Sequence, residues 1–412
     1  MTDEGQRTFG GRIARLRAER GMTQKQFAAE IGRTPSWLSQ VERGVQPVNR
    51  LDVLRLLADA LGVSVQELRP DAPQENSSHA PVPVPNDLDQ ARLLISGHPA
   101  LDVLLGTQPP YDRTDLADLR TAVDEIWQLA HSNRYAELST ELGRILPRLE
   151  RAARTAVAKD RPEAYSLLAR AYQALSAAFV RQNEADAAWV AADRSISAAE
   201  RSGRPLDGFA GIFRLAHAFV RLGRYDQAEH AARSAISALR RYTDDPERAT
   251  EAALSLLGAL HLVLALVFAR AKNRTDARKE MECARRVARR LGEDRDDFDL
   301  EFGPTNVEIQ AVSIAVDLGD AGEAIDIGET LDAAHLSAER QARLAMDLGR
   351  AHAQLRHAGE AIRWFLRAEE LAPEMVKSHI AARSAVRDLM LVTGRSAPTE
   401  LKRLADRTDA MA

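Results

Sequence analysis

The stretch Thr23-Gln-Lys-Gln-Phe-Ala-Ala-Glu-Ile-Gly-Arg-Thr-Pro-Ser-Trp-Leu-Ser-Gln-Val-Glu-Arg-Gly44 decides how the first part of this chain folds. Phe27, Ala28 and Ile31 fall at i, i+1 and i+4, one face of a short helix that Gly32 stops. A second helix follows at once. Thr34 is a good N-cap, Pro35 suits the first helical position, and Leu38 with Val41 makes an inward stripe before Arg43-Gly44 ends the element. The turn between them is only Gly32-Arg33, so the helices must cross steeply, and small Ala28 lets them approach. Ser36, Ser39 and Gln40 point away from the stripe, Trp37 sits at its border, and Arg33 and Arg43 mark its two ends. Ser and Gln side chains hydrogen-bond base edges in a major groove and arginines neutralise phosphates, so this face suits DNA.

Any small helical bundle contains amphipathic pairs joined by a glycine turn, and the flanking sequence narrows the choice. It supplies Ile13-Ala-Arg-Leu-Arg17 with Gly21-Met-Thr-Gln24, then Ser39-Gln-Val-Glu-Arg-Gly44, Pro47, and Leu51-Asp-Val-Leu-Arg-Leu-Leu-Ala-Asp-Ala-Leu-Gly-Val-Ser-Val-Gln-Glu-Leu68. From Gly11 to Arg69 the chain resembles the Cro and phage-repressor (xenobiotic-response-element) type of helix-turn-helix transcriptional regulator. The resemblance implies five helices around one small core and a recognition helix from Pro35 to Arg43. It also places the Gln24 amide on a phosphate, bracing the recognition helix, and gives Thr34, Ser36 and Gln40 to base edges. With Arg33, Trp37, Ser39 and Arg43 these complete the expected DNA-binding set. Arg17 and Glu42 match a semi-buried ion pair with a structural role, and Pro35 departs from the longer polar residue found in many relatives, so it contributes little readout.

Charge agrees with this division. Residues 1–70 carry 11 Lys+Arg against 8 Asp+Glu, net +3, and the remainder 45 against 52, net −7. A locally basic module on an acidic body suits binding at one site rather than coating of DNA. The 412 residues exceed what one core organises, so a second domain is expected. No apolar run is expected to reach the ~18 residues of a membrane span, and Met1-Thr-Asp-Glu4 lacks a signal pattern, which predicts a cytoplasmic protein without membrane partners. The single cysteine, Cys283, excludes an intrachain disulfide and sits with Met281, Ala284 and Val287 as a packed thiol.

Residues 8–69 therefore read as the DNA-binding domain, and the Pro-rich stretch 70–86 as an extended, semi-rigid linker. Residues 87–412 read as a helical repeat domain for sensing and dimerisation. Its clearest unit is Gly208 to Ile236, a helix, a Gly223-Arg-Tyr-Asp226 turn, and a second helix opening on Ala228. The same grammar recurs at Asn133-Arg-Tyr, Asn183-Glu-Ala, Lys272-Asn-Arg, Gly319-Asp-Ala and His357-Ala-Gly, at intervals of about 37 to 50 residues. This resembles degenerate tetratricopeptide repeats, whose period is about 34, with extended helices or inserted loops. The resemblance implies an all-α chain: a five-helix repressor-type domain followed by a tetratricopeptide-like α-solenoid whose concave face binds peptides or partner helices. Arg395 to Arg407 reads as a terminal capping helix.

Catalytic chemistry is thin. The ten histidines form no HExxH, no Cys/His pairing and no i,i+4 pair, so neither metal nor another cofactor is expected, and no phosphate loop or nucleophile elbow occurs. Glu369-Glu370 and Asp296-Asp297 read as solvated helix ends. Phe298-Asp-Leu-Glu-Phe-Gly-Pro-Thr-Asn306 breaks the repeat grammar. Either Pro304 merely starts a helix there, or Asn306 faces the groove and bonds a ligand's backbone amide, as asparagine does in pheromone receptors of similar architecture. Phe209, Phe213 and His217, at i, i+4 and i+8, line the groove or pack between repeats. The expectation is a non-enzymatic regulator that binds a double-stranded DNA operator as a homodimer, gated by a peptide or small-molecule effector. The alternative is an adaptor whose repeats hold a protein partner while DNA binding is secondary.

Overall fold

The computed structural model describes residues 8–45, 48, 51–68, 88–101, 105 and 114–411. Pro47 and the stretch read as a linker, 70–86, lie outside them. The chain divides into two compact units, residues 1–82 with 383–412, and residues 83–382. No strand occurs among the described residues; one isolated antiparallel bridge joins Arg295 and Phe302.

The first unit opens with α1 (Phe9–Glu19), α2 (Gln24–Glu30), α3 (Pro35–Glu42), α4 (Leu51–Leu61) and the single turn α5 (Val65–Leu68). Local chemistry starts each early helix. The Thr8 hydroxyl accepts from the Gly11 N–H at 3.1 Å, Thr23 and Gln26 form a reciprocal capping box, and Thr34 accepts from the Trp37 N–H at 3.2 Å. Between α2 and α3, Gly32 takes φ +63°, which lets the Arg33 N–H turn back onto the Ala28 carbonyl at 2.8 Å. The helices close on one core of Ile13, Phe27, Leu38, Val41, Leu54, Leu57 and Leu61, all nearly fully buried.

The second unit begins with α6 (Asp89–Ser96) and continues through helical pairs. These are α7 (Thr114–His131) with α8 (Tyr135–Thr155), α9 (Arg161–Arg181) with α10 (Ala185–Ser202), and α11 (Pro205–Arg221) with α12 (Tyr225–Thr243). Then come α13 (Glu251–Arg270) with α14 (Arg274–Leu291), α15 (Pro304–Leu318) with α16 (Ala321–Gly328), and α17 (Ala338–Gln354) with α18 (Ala358–Leu371). The short α19 (Pro373–Ser378) follows, and α20 (Ile380–Thr393) crosses the boundary between units; α21 (Thr399–Arg407) belongs to the first.

One backbone device stops the first helix of every pair. Asn133, Asn183, Gly223, Lys272, Gly319 and Arg356 all adopt positive φ. The N–H of the next residue then bonds back to a carbonyl in the last turn, as Glu184 does to Phe179 and Arg224 to Phe219, at 2.8 and 2.9 Å. The second helix starts two residues past each stop, so its opening in the clearest unit is Tyr225 rather than Ala228. Ala188, Ala228, Ala277, Ala324 and Ala361, five residues past their stops, are 0% exposed, where a small side chain lets the paired helices close. The first helices of successive pairs pack on one another from α7 through α17, forming a continuous inner layer.

Three expectations need correction. An apolar run long enough for a membrane does exist: α13 has a mean hydropathy of 2.4, but 89% of that window is buried, because α11, α12, α14 and α15 pack around it. A helix enclosed on all sides is apolar all round. The capping helix starts at Thr399, after a 3₁₀ turn over Gly394–Ser396, with Pro398 at its N-cap; a helix running from Arg395 would place Pro398, which has no N–H, in its interior. Asp297 is not a solvated helix end: its carboxylate takes Arg295 at 2.9 Å and the Ser255 hydroxyl at 2.7 Å.

Candidate nucleic-acid interface and ligand cavity

The recognition helix α3 is held from behind by a charged bracket. Arg17 of α1 donates Nε and Nη2 to the two Glu42 oxygens at 2.6 and 3.0 Å, and its Nη1 to the Met22 carbonyl at 2.7 Å. Gln24 Nε2 donates to Glu42 Oε2 at 2.6 Å. Glu42 is thus saturated from two helices, and its side chain is only 6% exposed. A bidentate pair with a third donor fixes the end of α3 far better than an exposed ion pair would.

A second support is Gly10. A Cβ at Gly10 would lie 2.5 Å from the Glu42 carbonyl oxygen and closer still to that of Val41. Only a glycine lets α1 run this near the end of α3. Nothing in the local pattern around Gly10 reveals the contact, because its partner lies some thirty residues away.

On the outward side, Arg33, Thr34, Ser36 and Arg43 are exposed, whereas Trp37, Ser39 and Gln40 are half-buried. The Arg33 guanidinium stacks on the Trp37 ring, 5.5 Å from its centroid, so Trp37 orients that cation as well as bordering the core. Arg43 lies one residue past the helix, at its C-cap, with Nε donating to the Ser39 carbonyl at 3.2 Å. Thr34 spends its oxygen on the Trp37 cap. The face is therefore cationic at both ends and hydroxylic between them, a pattern that suits phosphates flanking a groove.

In the second unit, the inner layer of first helices lines two adjoining cavities. One, of ≈ 120 Å³, carries Phe213, His217 and Asn306 together. Phe209 does not reach it; half-buried, it packs against the α11–α15 core. Phe213 and His217 meet edge to face with centroids 4.6 Å apart. Asn306 is 3% exposed, and its Oδ1 has no hydrogen-bond partner among the described residues. Pro304 does start α15, and the Asp294 carboxylate accepts from the Thr305 N–H at 3.0 Å.

Arg181, Arg214, Arg221, Arg270, Arg340 and Arg343 all line this cavity, a convergence that no local sequence pattern advertises. Arg181 pairs with Glu339 through two bonds of 3.0 and 2.7 Å. Burial opposes ionisation of Glu339, but Arg181 and Arg340 hold its carboxyl down at about 2. Burial, then the Arg181 charge, lowers Arg214 to about 10, and burial with Arg214 and Arg221 keeps His217 well below its ordinary value and neutral. Arg214 and Arg340 grip the segment before α15: Arg214 Nη2 donates to the Asp299 carbonyl at 2.8 Å and Arg340 Nη2 to the Leu300 carbonyl at 3.0 Å. Phe298, Asp299 and Glu301 there take φ of 56°, 56° and 48°. For side chains bearing a Cβ, each such conformation costs about 1–3 kcal/mol and persists only where surroundings enforce it.

Among the described residues, two groups bring three ligand-type atoms within 4.8 Å of one another: His261, Glu280 and Cys283, and His131, Asp296 and Asp299. The fold thus creates the Cys/His pairing that the linear sequence lacks. In the first group, His261 Nδ1 and Glu280 are hydrogen-bonded at 2.6 Å, Arg240 stands 3.2 Å from His261 Nε2, and Arg286 donates to Cys283 Sγ at 3.0 Å. Two adjacent guanidiniums repel a cation, so this donor set suits a hydrogen-bonded core network better than a metal.

No curated protein matches the chain. Among solved structures, that of Bacillus thuringiensis PlcR in complex with the peptide PapR7 and DNA aligns at 12% identity over 89% of this chain and 96% of that one, with a TM-score of 0.34. Residues 8–71 match the family described as a helix-turn-helix domain, and this N-terminal part of the chain is a helix-turn-helix domain.

Proposed function

We propose that this chain is a sequence-specific DNA-binding transcriptional regulator. In this reading α3 enters the major groove of a double-stranded operator, with Ser36 and Gln40 at base edges and Arg33 and Arg43 on phosphates. The observation that carries it is the bracket of Arg17, Gln24 and Met22 around α3, which holds a short helix rigid while leaving its cationic, hydroxylic face open to solvent. Modules of this type bind two half-sites about one helical turn apart, so the acting species is a homodimer.

The repeat body is the input. An effector held by the inner layer, with Asn306 Oδ1 accepting one of its N–H groups, shifts the body between two arrangements and with it the DNA affinity. The strained segment 298–301 is the element best placed to change, since arginines from two helices hold it in an unfavourable conformation. A mobility-shift assay with an operator selected from random duplexes tests the reading. Gln40→Ala and Arg43→Ala should each weaken binding about tenfold or more, as loss of one base or phosphate contact does. Binding equal to wild type in both variants contradicts the assigned helix.

A further inference from the structure

The larger of the two cavities, ≈ 510 Å³, lies among α11, α13, α15, α17 and the start of α20, and is of the size that small ligands occupy. Its lining carries five cationic side chains, Arg221, Arg270, Lys272, Arg343 and Arg350, against a single carboxylate, Asp317. That carboxylate is already committed. It takes Arg350 at 2.6 Å and Arg270 at 3.5 Å, while Arg350 also reaches Asp347 at 2.6 Å and Lys272 donates to the Asp317 carbonyl at 2.6 Å.

Arg221 and Arg343 form no ion pair among the described residues, although Asp317 acts on Arg221, and Asp347 and Glu339 on Arg343, at longer range. Arg221 has no hydrogen bond or ion pair among the described residues. Arg343 Nη1 meets His379 Nε2 at 2.8 Å, but His379 Nδ1 also faces a donor, the Ala382 N–H at 3.2 Å. A neutral imidazole has one free lone pair and cannot serve both. Burial and then the Arg343 charge lower Arg221 to about 9, so the two guanidiniums repel one another across the cavity they both line. Two guanidiniums with no ion pair among the described residues, both lining one cavity, offer the forked donors that a carboxylate or phosphate takes in bidentate fashion.

We propose that the effector of the repeat body carries an anionic oxygen group, carboxylate or phosphate, bound between Arg221 and Arg343. The adjoining smaller cavity shares Arg221, Arg270, Ser313 and Arg343 with this one and contains the unpartnered Asn306 Oδ1. A ligand with an anionic end and an N–H group further along therefore satisfies both. This inference names the ligand class for the gating reading above and rests on that reading only for the effect on DNA.

The test is thermal melting and calorimetry of the full-length protein with inorganic phosphate and with citrate, each against sodium chloride of equal ionic strength. A saturable rise in Tm beyond the chloride control is expected with at least one probe; phosphate alone marks a phosphorylated effector, citrate alone a carboxylate. The double variant Arg221→Gln/Arg343→Gln should lose the rise, yet melt no lower than wild type without anion, because it removes like-charge repulsion. Arg343→Lys keeps the charge without the fork, and its affinity for the anion should fall about tenfold. No rise in wild type with either probe, or an equal rise in the double variant, overturns the site. The same anion added to a mobility-shift assay separates the two claims: unchanged DNA affinity despite anion binding overturns the gating and leaves the site standing.

Discussion

Gly10 of α1 lies so close beneath the last turn of α3 that a Cβ on it would stand 2.5 Å from the Glu42 carbonyl oxygen. The recognition helix therefore takes its position from a backbone-to-backbone contact as well as from the Arg17–Glu42 pair.

Gly10→Ala should push α1 and α3 apart. Overpacking of this kind costs about 1–3 kcal/mol, although alanine is the better helix former. Chemical denaturation checks the stability, and the DNA Kd should rise with it. A variant that keeps both wild-type values shows that the close approach does not position the helix.

Glu42→Gln breaks the bracket and leaves Arg17 partly buried without its acid. A loss of about 3 kcal/mol is expected, the scale for removing one partner of a buried pair. Replacing both, Arg17→Met with Glu42→Leu, should recover much of that stability but not the DNA affinity, since Gln24 then loses its acceptor. Urea midpoints and mobility shifts on the two variants separate these effects.

Much of the first unit is legible in the sequence, and the reasons are local. Thr23, Thr34, Gly32 and the Leu38–Val41 stripe act within a few residues of themselves, so their order in the chain reveals their geometry. The repeat stops were visible for the same reason, although Lys272 and Arg356 adopt positive φ without the glycine that advertises it. What escaped depends on distant partners. Arg221 and Arg343 look like ordinary solvated arginines on amphipathic helices until the inner layer brings them together. Of the aromatic stripe, Phe213 and His217 reach the smaller cavity while Phe209 turns into the core, a divergence that helical spacing alone does not decide. In α13 the apolar run is broken in the sequence by one histidine, His261, whose side chain the fold buries against Glu280.

Glu339 supplies a pH prediction. Its carboxyl is held at about 2 in the folded protein, below its value in the unfolded chain, so its pairing with Arg181 stabilises fully above the unfolded pKa of about 4.3. That contribution is lost as pH falls towards about 2. Glu339→Gln should cost about 3–5 kcal/mol at pH 7 by leaving Arg181 buried and unpaired. The gap between variant and wild type in urea titrations should narrow below pH 4; a gap constant with pH contradicts the assignment.

Asp299 shifts the other way. Burial raises its carboxyl to about 6, against the pull of Arg170 and Arg214, so folding favours the protonated form. Its contribution to stability is therefore greatest below the unfolded pKa and declines as pH rises through about 6. Asp299→Asn should stabilise the protein at pH 7 by about 1–3 kcal/mol and change little at pH 4, where the wild-type side chain is already neutral. Equal effects at the two values contradict this account of the strained segment.

The central claim is that α3 reads DNA sequence, and selection from a pool of random duplexes by the full-length protein tests it most directly. The account predicts enrichment of one motif, two related half-sites about 10 base pairs apart, that disappears in the Gln40→Ala/Arg43→Ala double variant. Failure to enrich any sequence, or enrichment of the same motif by the variant, would contradict it.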